Sequence, residues 1–186
     1  VTRKDLRSFG LIVGGVFAVI GLWPVVRRGG DYRTWAFALS ALLILEERYP
    51  EAGAECAILI DDPTFAEPWR APANLGFVEL KQGHLAEARK HLEMAREFRR
   101  DYWPATLSLA QVELLEGRRL EAIGHLQEVL ALDPGPSVAA EANSRIAEIY
   151  IALGQRQEAM GHLTTAQTQA PQGVWGRRSE EYLKLL

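Results

Sequence analysis

Three of the four histidines occupy equivalent places along the chain, and a ladder of imidazoles is a familiar way to hold a metal or a haem. His91, His125 and His162 each stand one residue before a leucine, at matching points of a recurring pattern. Equivalent residues of successive helical repeats lie roughly 10 Å apart, whereas one metal ion needs its ligands at about 2 Å. We therefore interpret these histidines as partly exposed helix residues of shared repeat ancestry, and we expect no metal and no cofactor.

Other groups with catalytic potential form no recognisable motif. The sequence contains no HExxH, no glycine-rich phosphate loop and no GxSxG. Adjacent acidic pairs such as Glu46-Glu47 and Glu180-Glu181 do not face each other on a helix. The chain is predicted not to be an enzyme and to have no small-molecule substrate.

The charge and the cysteine content of the chain exclude further kinds of partner and site. The net charge of −3 gives no electrostatic reason to expect nucleic acid. Cys56 is the only cysteine, so an intrachain disulfide and a cysteine-rich metal cluster are both excluded. We expect Cys56 to be a small apolar residue on a buried helix face.

A pattern of 34 residues occurs three times along the chain, and it predicts the helices on which the histidines lie. The units are 69–102, 103–136 and 140–173, here called repeats 1, 2 and 3, and positions are counted from Trp69, Trp103 and Ala140. Position 8 is small in each, position 15 is glycine and position 20 is alanine, as in Gly76, Gly83 and Ala88 of repeat 1. Small residues let two helices approach closely, and glycine supplies the turn between them. This is the pattern of the tetratricopeptide repeat, and it predicts an all-α solenoid.

The ends of such a stack need covers, because one unit cannot bury its own apolar face. Residues 31–68 are expected to form a degenerate repeat, with 34–48 as its first helix and 51–61 as its second. After the repeats, which extend to 178, residues 179–186 are predicted to form a capping helix with Ser179 as its N-cap.

Residues 1–30 form a predicted membrane anchor. The nineteen residues from 8 to 26 carry no charge and, as a helix, would span about 28 Å. Small residues lie in a stripe that would let a second membrane helix pack closely: Gly10, Gly14, Ala18 and Gly21. Basic residues flank this segment at both ends, so the positive-inside rule gives little indication of which end faces the cytoplasm. The apolar run from 34 to 45 could be interfacial or re-entrant, and we favour the first helix of the soluble stack.

Two resemblances accompany these patterns. LRSFGLIVGG and IGLWPVVRRGG, within residues 1–45, resemble small two-helix bacterial membrane proteins encoded in saxitoxin-type operons. DDPTFAEPWRAPANLG, DYWPA and WGRRSEEYLKLL, within 51–186, resemble the Tgl-type repeat proteins, relatives of lipoproteins that help assemble the type IV pilus secretin. The resemblance implies a bacterial scaffold protein. Where those relatives carry a lipid anchor, this chain carries an apolar segment.

In this fold the first helix of each repeat lines a concave protein-binding groove, mainly through positions 2, 5, 9, 12 and 13. The predicted groove residues are Phe77, Leu80, Lys81, Leu107, Gln111, Leu114, Leu115, Glu148 and Ile151. We expect a scaffold anchored once in the bacterial inner membrane, in contact with lipid, with its repeats on the periplasmic side in preference to the cytoplasmic one. Its partners would be subunits of a membrane complex, and a transient role in pilus or secretion biogenesis is the alternative.

Overall fold

A computed structural model describes residues 32–186 of the protein. The predicted membrane helix at 8–26 and its stripe of Gly10, Gly14, Ala18 and Gly21 lie outside the described residues. Within 32–186, no helix combines the length and the apolar character needed to cross a membrane.

All regular structure of residues 32–186 is α-helical, and successive helices pack as antiparallel pairs. The helices are α1 (Tyr32–Leu45), α2 (Tyr49–Ile60), α3 (Arg70–Gln82), α4 (Leu85–Phe98), α5 (Trp103–Leu115), α6 (Arg119–Ala131), α7 (Pro136–Ala152), α8 (Arg156–Gln169) and α9 (Val174–Leu185). Each helix contacts the next, and α3 also contacts α1 and α5. The predicted all-α tetratricopeptide-type solenoid is confirmed.

The two helices of a repeat meet where the side chains are smallest. At position 8 of repeat 1, a Cβ added to Gly76 would lie 2.6 Å from Leu92 Cγ and 3.0 Å from the Ala88 carbonyl oxygen. Ala110 and Ala122 are the corresponding buried pair in repeat 2. Close packing of α3 on α4 therefore depends on the absence of a side chain at residue 76.

The N-terminal repeat, formed by α1 and α2, follows the same pattern with different residues. Ser40, Ala52, Cys56 and Leu59 are buried where repeat 1 has Gly76, Ala88, Leu92 and Ala95. Counting back from these places position 1 at Arg33 and position 15 at Glu47. Glu47 has a φ of 59°, in the left-handed region that Gly83, Gly117 and Gly154 occupy in the later repeats. The turn therefore keeps its shape but is made without glycine.

Burial also defines the chemistry of the lone cysteine. Cys56 is fully buried beside Ser40, and desolvation raises the pKa of its thiol to about 11. Since the thiolate is the reactive form, this thiol is unreactive at neutral pH.

An ion-pair cluster joins repeats 1 and 2. The nearly buried Glu113 carboxylate on α5 accepts hydrogen bonds from Arg89 on α4 and from Arg118, which precedes α6. Desolvation is the largest influence on the pKa of Glu113 and raises it, but the two arginine hydrogen bonds together outweigh it and hold the pKa below its usual value. The carboxylate is thus charged inside the stack, and its partners come from both repeats.

The capping helix starts earlier than predicted. Helix α9 begins at Val174, so Ser179 lies inside it, fully buried, and the prediction of Ser179 as N-cap is wrong. The chain turns after α8 at Ala170, whose carbonyl accepts a hydrogen bond from the Gly173 amide at 2.9 Å. A Cβ on Gly176 would lie 2.0 Å from that same carbonyl oxygen, so α9 passes directly over the turn. The tertiary contact at Gly176 overrides the local preference of serine for a helix start.

We expect Gly76→Ala to lower the free energy of unfolding by about 1–3 kcal/mol, because the new methyl group overlaps Leu92 and the Ala88 carbonyl. The matched control is Gly124→Ala, since Gly124 also lies within a helix but has open space around it. That change should raise stability by up to about 1 kcal/mol through helix propensity alone. Chemical denaturation of both variants measures the difference, and equal effects would contradict the close approach at residue 76.

We expect Glu47→Gly to raise the free energy of unfolding by a few tenths to about 1 kcal/mol. The left-handed conformation costs a side-chain-bearing residue about 1–2 kcal/mol, and this exceeds the entropic penalty of glycine, roughly 0.5–1 kcal/mol. Glu47→Ala removes the charge but keeps the strain, so it should not stabilise. Thermal unfolding of the two variants separates charge from conformation, and a loss of stability in Glu47→Gly would refute the conformational account.

Candidate protein-binding groove

The first helices of the repeats and the capping helix form the inner row of the solenoid. Contacts link α1 to α3, α3 to α5 and α7 to α9. The groove positions of this row fall on α3, α5 and α7, as predicted from the repeat register, and continue onto α9.

Two predicted groove residues are buried in the core instead. Leu80 packs with Ala88 and Leu92, and Leu107 packs with Ala110 and Ile146. Leu80 follows Gly76 by four residues and Leu107 precedes Ala110 by three. Each therefore lies on the helix face that meets its partner helix. These two side chains do not contribute to an exposed apolar strip.

The remaining apolar groove residues differ in exposure. Leu115 is exposed, whereas Phe77 is half-buried. Leu114 is partly buried against the cluster around Ile146, and Ile151 against the cluster around Leu163. The apolar strip is therefore narrower than predicted and is most accessible at Leu115. Its binding role stays a prediction.

Charged groups border this strip. The exposed Lys81 ammonium lies 5.1 Å from the centre of the Phe77 ring, a cation–π distance. Glu148 on α7 pairs with Arg178 on α9, with 2.8 Å between carboxylate oxygen and guanidinium nitrogen. Gln111 is half-buried between these two ends. The groove residues thus combine an exposed leucine with aromatic, cationic and anionic groups.

Helix α9 adds residues to the candidate groove that are absent from the predicted set. Arg178 lies 5.3 Å from the Trp175 ring centre and 5.7 Å from that of Tyr182, and Arg145 on α7 lies 4.9 Å from Trp175. Counting 34 residues on from Ala140 reaches Val174, which puts Trp175, Arg178 and Tyr182 at positions 2, 5 and 9. The 34-residue period alone assigns these three residues to groove positions. The predicted start of the capping helix at Ser179 excluded Trp175 and Arg178 from that helix.

The three equivalent histidines each pair with position 11 of their own repeat. His91 Nδ1 lies 2.7 Å from Glu79 Oε2, and His125 Nε2 lies 3.9 Å from Glu113 Oε1. The His162 ring stacks on Tyr150 with centroids 5.7 Å apart, and burial lowers the pKa of His162. Among residues 32–186, no group of three or more His, Cys, Asp or Glu residues could hold a metal ion. The geometry assigns these histidines to pairing within their own repeats.

Comparisons with known proteins agree with this architecture. Residues 113–177 match the family model described as tetratricopeptide repeat. No curated protein matches the chain.

Solved structures with a similar fold include several bacterial repeat proteins. TTC0263, a thermophilic tetratricopeptide-repeat protein of Thermus thermophilus, shares 22% identity with a TM-score of 0.71, covering 99% of this chain and 97% of that one. PilW, described as a widely conserved type IV pilus biogenesis factor, shares 19% identity with a TM-score of 0.69, covering 90% of this chain and 80% of that one. MamA shares 18% identity with a TM-score of 0.68, covering 90% of this chain and 93% of that one.

Residues 113–177 thus carry tetratricopeptide repeat sequence, and residues 32–186 have the fold of the tetratricopeptide-repeat proteins.

Proposed function

We propose that this protein is a non-enzymatic scaffold, anchored in the bacterial inner membrane by residues 8–26, that docks on a multiprotein membrane complex and stabilises it or helps assemble it. The groove binds a soluble segment of that complex. The small-residue stripe of Gly10, Gly14, Ala18 and Gly21 packs against one of its membrane helices. The repeats lie on the periplasmic side.

The observation that carries this proposal is the mixed character of the groove. Leu115 offers apolar contact, while the Phe77–Lys81 pair and the Trp175–Arg178 pair offer aromatic faces beside cations. Aromatic residues and arginine are the side chains that most often dominate protein–protein binding energy. Such a row suits a partner helix or an extended segment laid along it.

A second candidate function is transient help in pilus or secretion biogenesis. The resemblance of residues 51–186 to the Tgl-type proteins favours it, and so does the similar fold of PilW, a type IV pilus biogenesis factor. Both functions use the same groove, and they differ in the lifetime and stoichiometry of the complex.

The test is purification of the tagged full-length protein from its native membranes in mild detergent, with quantitative mass spectrometry of the proteins that accompany it. We expect the subunits of one membrane complex in stoichiometric amounts, stable in moderate salt. Pilus or secretion proteins in substoichiometric amounts would instead support the second function.

The groove itself is tested by the double variant Phe77→Ala/Leu115→Ser. Loss of one or two central apolar contacts costs about 1–3 kcal/mol of binding energy, so recovery should fall roughly tenfold or more. The matched control is Leu120→Ser, because Leu120 is 73% exposed but lies on α6, a second helix. Equal recovery with the groove variant and the control would refute binding through the groove.

A further inference from the structure

Helix α1 exposes an apolar stripe along one side. The side chains of Trp35, Leu39, Leu42 and Leu45 are 39%, 38%, 51% and 81% exposed. They recur at intervals of three or four residues and so share one helix face. The opposite side of α1 buries Ala36 and Leu43 against the rest of the stack. A helix that is apolar on both sides is expected to be covered on both sides.

The repeat register identifies this stripe as a packing face. Trp35, Leu39 and Leu42 occupy positions 3, 7 and 10 of the N-terminal repeat, whereas Leu45, at the end of the helix, occupies position 13, a candidate groove position. In later repeats eight of the nine residues at these positions are almost fully buried, and Leu75 is half-buried; the eight are Ala71, Val78, Ala105, Leu109, Val112, Ala142, Ile146 and Ile149. The preceding helix pair covers them: Val78 packs on Leu43 and Ala52, for example. The stripe on α1 is thus the face that a preceding repeat would cover.

The size of Trp35 argues against an ordinary repeat as the cover. Position 3 is alanine in repeats 1, 2 and 3, and each of these alanines is fully buried where the preceding helices come close. An indole at this point prevents the same close approach. The cover is therefore a material that adapts to a large aromatic side chain.

We infer that this material is lipid: the stripe of α1 lies in the interfacial layer of the bilayer. The inference rests on the proposed anchor at residues 8–26. Only the five residues 27–31 separate that segment from α1, and so short a connection reaches at most roughly 20 Å. An anchored chain consequently holds α1 close to the membrane surface.

The chemistry of the stripe fits that layer. From 34 to 45 the chain carries no charge, and tryptophan is enriched at membrane–water interfaces. A helix with an apolar face and a tryptophan lies in the interface plane with that face turned to the acyl chains. The bilayer then covers the N-terminal end of the solenoid, as α9 covers the C-terminal end.

The experiment places an environment-sensitive fluorophore on the full-length protein in vesicles of phosphatidylethanolamine and phosphatidylglycerol. Leu42→Cys reports on the stripe, and Leu120→Cys is the matched control far from it. The native Cys56 stays unlabelled, because it is buried and its thiol has a pKa of about 11. Leu39→Cys provides a second label site on the same face, should the first substitution disturb the fold.

We expect strong quenching of the Leu42 label by lipids brominated near the headgroup and several-fold protection from aqueous iodide. The Leu120 label should behave in the opposite way. A Leu42 label shielded from both quenchers would mean that residues 8–26 or a second protein copy cover the stripe, which overturns the inference.

A Leu42 label open to iodide would also overturn the inference, and alkaline carbonate extraction then separates it from the proposed function. If the protein stays with the vesicles, the anchor stands and only the contact of α1 with lipid is refuted. If the protein is released, the anchor fails and the inference fails with it.

Discussion

A pair of helices in this protein buries one apolar face within itself and leaves another uncovered, and this constraint governs the whole stack. Each following pair supplies the missing cover, as when Val78 of α3 closes over Leu43 and Ala52. Small residues set the distance at which this happens, with Gly76 on α3 and Ala110 on α5 facing their partner helices. Stability is therefore close to a sum of neighbour contacts, and the two ends are special.

Repeats 1, 2 and 3 could be predicted because their packing depends on a few small residues at fixed intervals. Gly83, Gly117 and Gly154 mark the turns since their left-handed backbone disfavours a side chain. The register of the N-terminal repeat could not be found in this way. Glu47 makes its turn without glycine, and Cys56 replaces the core leucine that repeats 1, 2 and 3 have at position 24.

The helices that carry the candidate groove positions could be predicted from the repeat register, but the exposure of each side chain could not. Helical position alone does not tell whether a leucine points into the groove or towards the partner helix, which is why Leu80 and Leu107 were assigned to the wrong surface. The start of α9 could not be predicted because serine is a favoured N-cap residue, and this local preference points to Ser179. The actual start depends on the close approach of Gly176 to the Ala170 carbonyl, which only the folded structure shows. Trp175 and Arg178 precede Ser179, so the predicted capping helix did not include them.

The row of first helices also sets a length for the partner segment that the proposed function would place along it. The row comprises five helices, α1, α3, α5, α7 and α9, with contacts between α1 and α3, α3 and α5, and α7 and α9, and packed helices are about 10 Å apart. The row therefore measures roughly 40 Å, which corresponds to a partner helix of about 27 residues or an extended segment of about 12. In the proposed function, a shorter ligand would cover only part of this row, and Phe77 and Trp175 would then contact different segments of one partner.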